Sequence, residues 1–189
     1  MTPIRVAIHG AAGRMGRRLL ALGSEDSDLA ITAAVENPDH PQLGSDAGLI
    51  AGVAELGLPL SPDLTVDVDV VIDFSVPQGA AAITKTCVER RVGLVMATTG
   101  LNDHQQAMIS AAAQEIPVVW APSMSLAVNL TMKLTEIAGQ ALKKYPSGVD
   151  VEIIERHHRF KEDAPSGTAL RFGQIIATAM GQTSHIHGR

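Results

Sequence analysis

Short apolar runs alternate with longer mixed segments along most of the chain. Ile4-Arg5-Val6-Ala7-Ile8-His9 reads as a strand. It leads into Gly10-Ala11-Ala12-Gly13-Arg14-Met15-Gly16 and then a helix over Arg17-Arg18-Leu19-Leu20-Ala21-Leu22. Residues 31–35 form a second apolar strand that ends at Glu36. Residues 37–64 are rich in Pro, Gly and Asp and predict a long irregular connection. Further strands are predicted over 69–75, 93–97 and 117–121. Pro77 opens a helix reaching about Arg90, because proline is tolerated in a first helical turn. Asn102 is a cap for another helix, ending near Ala113. A long helix over 126–142 is broken by Pro146-Ser147-Gly148. Val151-Glu152-Ile153-Ile154 then reads as a strand with one well-buried face. Ser166 or Thr168 caps a last helix that begins near Ala169 and runs to about Ala179.

This alternation predicts an α/β fold: parallel strands joined by right-handed crossovers. Composition agrees. Hydrophobic residues make up 46% of the 189 residues and charged ones 19%, as in a globular protein. Aromatics are only 3%, so the core is built from aliphatic side chains, which suits parallel strands covered by helices. The net charge of −5 argues against a general nucleic-acid binder. No apolar run reaches membrane-spanning length and no signal peptide precedes the first strand, so a cytoplasmic location is expected. The single cysteine, Cys87, falls in a helix with no partner and reads as buried and inert.

The strand, glycine-rich turn and helix at the N-terminus form a dinucleotide-binding arrangement. Glycines let the backbone turn tightly and approach a pyrophosphate, which rests on the helix N-terminus. The spacing here is Gly-x-x-Gly-x-x-Gly, a weak signal alone. Glu36 sharpens it, since an acid ending the second strand, about 20 residues past the last glycine, suits adenosine ribose hydroxyls. Arg14 and Met15 are placed to touch a phosphate or ring. The segments after later strands, Ala97-Thr98-Thr99 and Ala121-Pro122-Ser123-Met124, gather by topology at the same sheet edge. A 2′-phosphate beside Glu36 would meet repulsion of about 4 kcal/mol for unit charges ~4 Å apart at a surface-like dielectric. Asn37 supplies no positive charge to offset it. NADH is therefore expected to serve at least as well as NADPH.

A second cluster lies in Glu155-Arg156-His157-His158-Arg159-Phe160-Lys161-Glu162-Asp163-Ala164-Pro165-Ser166-Gly167-Thr168. Two imidazoles and an ammonium precede a helix N-terminus, where aligned N–H groups bind carboxylate or phosphate. A solvated basic loop, neutralised by Glu155, Glu162 and Asp163, is the plainer alternative. The close succession of His157, His158, Lys161, Ser166, Gly167 and Thr168 favours a site for a small carboxylated substrate with a proton-transfer step. His185 and His187 near the end lack a carboxylate partner and read as a polar tail, so no metal site is expected.

With these motifs the chain resembles the bacterial 4-hydroxy-tetrahydrodipicolinate reductases, also called dihydrodipicolinate reductases, of lysine biosynthesis. The resemblance rests on residues 6–16, Ile72-Asp73-Phe74-Ser75, Ala97-Thr98-Thr99-Gly100 and above all 152–170. It implies a Rossmann-like dinucleotide-binding domain over 1–125 and a partial α+β substrate and oligomerisation domain over 126–189, truncated at its C-terminus. It also implies a homotetramer. Hydride would pass from NADH or NADPH to a cyclic, dehydrating dicarboxylate. His157 matches the proton donor/acceptor, Lys161 a proton donor, and His158, Gly167 and Thr168 substrate ligands. Gly10, Ala11, Ala12, Gly13, Arg14, Met15, Glu36, Ala97, Thr98, Thr99, Ala121, Pro122, Ser123 and Met124 match cofactor contacts. Asn37 stands where many relatives carry arginine, and Ala97 replaces a frequent glycine. A non-catalytic NAD(H)-binding module, or another NAD(P)-dependent oxidoreductase of a small carboxylated compound, is the competing reading.

Overall fold

The computed structural model describes residues 2–121, 123–159, 164–183 and 186. They form two compact units, Met1–Ala121 and Pro122–Arg189.

In the first unit, the apolar runs become strands β1 (Ile4–His9), β2 (Leu29–Val35), β3 (Leu60–Ser61), β4 (Val70–Asp73), β5 (Gly93–Met96) and β6 (Val118–Trp120). They form one parallel sheet in the order β3-β2-β1-β4-β5-β6. Helices α1 (Arg14–Glu25), α2 (Ala47–Ala51), α3 (Pro77–Arg90) and α4 (Asp103–Ala112) complete the unit. The side-chain alternation of a strand divides the core in two. Val6 and Ile8 join Leu20, Ala34, Ala47 and Leu60 on the face covered by α1 and α2. Ala7, Val71, Leu94 and Met96 join Ile83, Cys87 and Ile109 on the face covered by α3 and α4. Fully buried aliphatics such as Ile8, Leu20 and Leu94 each contribute roughly 1.5–3 kcal/mol. Helices cover both faces, as the sequence predicts.

The sheet is wound in both directions from β1. β2 and β3 lie to one side, and β4, β5 and β6 to the other. The C-terminal ends of β1 and β4 therefore flank the point where strand order reverses, the place where open α/β sheets bind ligands.

The connection over 37–64 holds more regular structure than its composition predicts. Asp46 caps α2, accepting from the N–H groups of Gly48 and Leu49, and it also takes those of Leu56 and Leu58. Desolvation pushes the Asp46 carboxyl up, but these four donors outweigh it and hold it below the usual carboxylate value. Gly52 ends α2 in the left-handed region, and Leu60 returns to pair with Ala34. One aspartate thus organises a loop that its Pro and Gly content suggested was irregular.

The second unit contains helices α5 (Leu126–Leu142) and α6 (Gly167–Met180), packed together. Close approach needs Gly139, because a Cβ there would lie 2.7 Å from Ile176 Cδ1 and 3.0 Å from Ala179 Cβ. The strand expected over 151–154 does not form: residues 151–158 carry no regular structure. Apolar alternation alone cannot make a strand, which needs a neighbour to accept its ladder. Among the described residues this unit offers none. Val151 and Ile153 are partly exposed and Ile154 is 80% exposed. α6 starts two residues earlier than expected, with Ser166 as its cap rather than Thr168.

At the start of the sheet, Arg5 and Asp69 tie β1 to the segment entering β4. The Arg5 N–H and guanidinium donate to the carboxylate at 2.7 to 3.2 Å. These hydrogen bonds, then the Arg5 charge, lower the Asp69 carboxyl from 3.8 to about 2. A depressed folded-state value adds stability above the ordinary value and loses it as pH falls through the folded one. Unfolding midpoints of wild type should thus fall between about pH 4 and pH 2, in a step that Asp69→Asn diminishes. Parallel acid curves for the two proteins would contradict this. Because both side chains are nearly half exposed, solvent screening keeps the step small.

Candidate functional site

The first group of candidate residues surrounds the turn between β1 and α1. Gly10 adopts φ +75°, a left-handed conformation that disfavours side chains. The N–H groups of Gly10 and Ala11 both donate to the Val35 carbonyl, at 3.0 and 3.1 Å, and hook the turn to the end of β2. Ala12 N–H donates to Glu36 Oε2 at 3.0 Å, and Asn37 N–H donates to Glu36 Oε1 at 2.9 Å. Arg17, expected as a solvated helix residue, donates from Nε to the Ala12 carbonyl at 2.7 Å and braces the turn.

These bonds leave a defined set of donors. The first intrahelical bond of α1 runs from Arg17 N–H to the Gly13 carbonyl. The N–H groups of Arg14, Met15 and Gly16 thus have no acceptor within the helix. Gly13 gives no side-chain cap and the first turn contains no acid. By contrast, α2, α4, α5 and α6 are capped by Asp46, Asn102, Ser125 and Ser166, while α3 also lacks a side-chain cap but opens on Pro77, which has no N–H to offer. An uncapped, acid-free helix start at the switch point fits a pyrophosphate. Glu36, its carboxylate anchored beside that start, fits the ribose hydroxyls of the same dinucleotide.

A buried polar cluster lies next to this turn. Asp73, with no exposure, ends β4 and pairs in register with His9. His9 Nδ1 lies 2.6 Å from Asp73 Oδ1, and the Thr98 hydroxyl donates to Oδ2 at 2.6 Å. One carboxyl thus joins the ends of β1 and β4 and the segment after β5. Thr98 is therefore turned into the protein, while Thr99 is exposed and Ala97 donates its N–H to the Asp73 carbonyl. His9 and Asp73 were not among the expected site residues; their signal was a polar residue closing each of two apolar strands. Cys87 is wholly buried, as expected. Desolvation first, then the Asp73 charge, pushes its thiol up to about 12.

Ala121 closes the first unit, and Ser123 and Met124 lie at the start of the second. The Ser123 carbonyl accepts from the Asn129 side chain at 2.9 Å. Pro122 lies outside the described residues.

The second group lies within the second unit. Glu155 is the centre of it. Its Oε1 accepts the Ser166 N–H at 2.8 Å, and its Oε2 lies 2.8 Å from His157 Nε2. Bonding to Ser166 first, then to His157, lowers the Glu155 carboxyl from 4.5 to about 2. Ser166 is buried and its hydroxyl accepts the Ala169 N–H at 3.1 Å. By helix geometry the N–H groups of Gly167 and Thr168 lack an intrahelical acceptor. These open donors lie at the helix start whose Ser166 N–H is held by the carboxylate that also meets His157. His158 is exposed. Lys161 lies outside the described residues, as do His185 and His187.

A doubly wound parallel sheet with an open helix start at its switch point defines a dinucleotide-binding protein. Residues 4–124 match the family described as dihydrodipicolinate reductase, N-terminus, and 127–188 match dihydrodipicolinate reductase, C-terminus. The chain belongs to the dihydrodipicolinate reductase family. It is 52% identical to the 4-hydroxy-tetrahydrodipicolinate reductase of Rhodopirellula baltica, over 99% of this chain and 69% of the relative. It is 47% identical to that of Alkalilimnicola ehrlichii, over 94% and 67%. A solved dihydrodipicolinate reductase from Paenisporosarcina sp. TG-14, with dipicolinate bound, superposes with a TM-score of 0.73 at 28% identity. The match covers 98% of this chain and 70% of that one. Aspartate semialdehyde dehydrogenase II from Vibrio cholerae, at 13% identity and a TM-score of 0.56, shares the fold alone.

Gly16 is the glycine most constrained by packing. A Cβ there would lie 2.1 Å from the Gly10 carbonyl oxygen and 2.6 Å from Ala11 Cα, backbone atoms that cannot turn aside. Gly16→Ala should cost about 1–3 kcal/mol by urea unfolding and weaken NADH binding in a fluorescence titration. Unchanged midpoint and affinity would show that α1 does not rest on the turn in this way.

Proposed function

We propose that this chain catalyses the NADH- or NADPH-dependent reduction of 4-hydroxy-tetrahydrodipicolinate to tetrahydrodipicolinate, on the diaminopimelate route to lysine. The observation that carries the reading is the Glu155 carboxylate, which holds both His157 and the N-terminus of α6. A proton donor and a carboxylate site thereby share one anchor, as a cyclic dicarboxylate substrate requires. The names of the relatives above support the same reaction.

The nicotinamide supplies hydride; the residues of the chain bind, orient and protonate. Residues 1–125 take the dinucleotide role. Arg14, Met15 and Gly16 offer backbone donors to the pyrophosphate, and Glu36 binds the ribose hydroxyls. Gly10, Ala11 and Ala12 shape the turn, and residues 97–99 and 121–124 border the cofactor. Residues 126–189 take the substrate role. Gly167 and Thr168 hold a carboxylate through their N–H groups, Ser166 fixes that terminus, and His158 and Lys161 add donors and charge. His157 or Lys161 delivers the proton that accompanies hydride. An imidazole is suited to this at neutral pH, where positioned proton transfer contributes roughly 10²–10⁴-fold.

NADH should serve at least as well as NADPH. Glu36 stands at the end of β2 with its carboxylate oxygens on the Ala12 and Asn37 N–H groups, and Asn37 turns its side-chain oxygen to the Asp39 N–H at 2.9 Å. Neither offers a positive charge to a 2′-phosphate. A homo-oligomer is the proposed assembly, supported by the exposed Leu126, Leu130, Leu134 and Ile137 along α5. A cytoplasmic location goes with the pathway, and no described helix is long and apolar enough to cross a membrane.

Oxidation of NADH on adding freshly made substrate tests the reading. His157→Ala and Lys161→Ala should each lower kcat by roughly 10²–10⁴-fold, with NADH affinity within about twofold of wild type. Near-normal turnover in either variant removes that residue from the mechanism. For the cofactor, kcat/KM with NADH should equal or exceed that with NADPH. A large advantage for NADPH would overturn the electrostatic argument at Glu36.

A further inference from the structure

Residues 151–158 carry no regular structure, so the loop that carries His157 is not part of a described strand. The Ile153 and Glu155 side chains attach this stretch to α6. Ile153 lies over Gly173, where a Cβ would come 3.8 Å from Ile153 Cδ1. Glu155 then reaches the Ser166 N–H at the helix start. The second carboxylate oxygen remains for His157, 2.8 Å away.

We propose that Glu155 is the positioning residue of the reaction, fixing both the orientation and the tautomer of His157 from the N-terminus of α6. This rests on the reading of His157 as a proton donor. Bonding to Ser166 and His157 lowers the Glu155 carboxyl to about 2, so at neutral pH it is ionised and accepts only. An imidazole nitrogen 2.8 Å from an ionised carboxylate must carry the hydrogen. Nε2 is therefore the protonated nitrogen of neutral His157, and Nδ1 is the one that exchanges with substrate. In the step itself the imidazolium Nδ1–H bond breaks and the proton goes to the ring atom that needs it as hydride arrives. Nε2–H stays on Glu155, and solvent returns the proton to Nδ1. A carboxylate that orients an imidazole is a recurring arrangement in proton-transfer sites. What differs here is its own anchor: a main-chain N–H at a helix end, which also favours the negative charge.

The test uses the full chain with NADH and substrate, comparing Glu155→Gln, Glu155→Asp and His157→Ala. Glutamine retains an oxygen for the Ser166 N–H but no longer demands hydrogen on Nε2. Glu155→Gln should lower kcat by roughly tenfold to a hundredfold, part of the span that positioned proton transfer supplies, with the KM for NADH unchanged. Glu155→Asp should recover part of the loss. Nitrogen-15 spectra of the histidines should show neutral His157 as the Nε2–H tautomer in wild type and shifted toward Nδ1–H in Glu155→Gln, whose NH2 group faces Nε2. Full turnover in Glu155→Gln, with His157→Ala impaired, would overturn the inference and leave the proton-donor reading intact. Normal turnover in His157→Ala would remove the reading beneath it. A fall in kcat with the tautomer unaltered would mark Glu155 as merely structural and also overturn it. If Glu155→Gln fails to fold, the wild-type spectrum decides, and an Nδ1–H tautomer there refutes the assignment.

Discussion

Asp73 has no contact with solvent, yet its carboxyl meets two polar partners, His9 and Thr98. A buried carboxyl without partners would be costly, by several kcal/mol for a charged form. Here the requirement is met by drawing polar groups from the ends of two strands and from the segment after a third. That closes a triangle directly under the switch point, against the Gly10 turn. The Gly10 turn depends on it, because the turn leaves β1 at His9 and is held in place by whatever holds His9.

The turn itself is built by assigning backbone donors. Val35 takes two N–H groups and Glu36 takes a third, so the open donors are those of the first turn of α1. Four other helices of the described chain carry side-chain caps where α1 has none. Leaving donors unbonded at one end has a stability cost in the absence of a ligand. It is the arrangement expected where an anion completes the helix.

In the second unit the logic is repeated with a different acceptor. Ser166 satisfies the Ala169 N–H, Glu155 satisfies the Ser166 N–H, and Gly167 and Thr168 remain. The carboxylate responsible also touches His157, so helix capping and imidazole orientation are one interaction. The net charge of −5 does not exclude anionic ligands, since open N–H groups at a helix start attract anions locally while distant charges are screened by salt.

Local chemistry made the first unit legible from the sequence. Apolar strands, Pro77, Asn102 and the Gly10 turn each act over a few residues and were found where expected, although α1 begins at Arg14, three residues before the helix expected from Arg17. The family could be read from short local motifs, residues 6–16 and 152–170 above all, and the family match covers both. The connection over 37–64 was not legible. Asp46 organises it through donors up to 12 residues away, at Leu56 and Leu58. The strand expected over 151–154 failed for the converse reason, since alternation describes a face but not the neighbour a ladder needs. The sequence by itself determined the parallel α/β class, the glycine turn with Glu36, and the imidazole loop ahead of a helix start. Only tertiary structure decided that Asp73 joins three segments, that Arg17 braces the turn and that Glu155 grips His157. Those contacts depend on directions and distances between residues far apart in the chain or in loops without regular structure, and neither periodicity nor spacing encodes them.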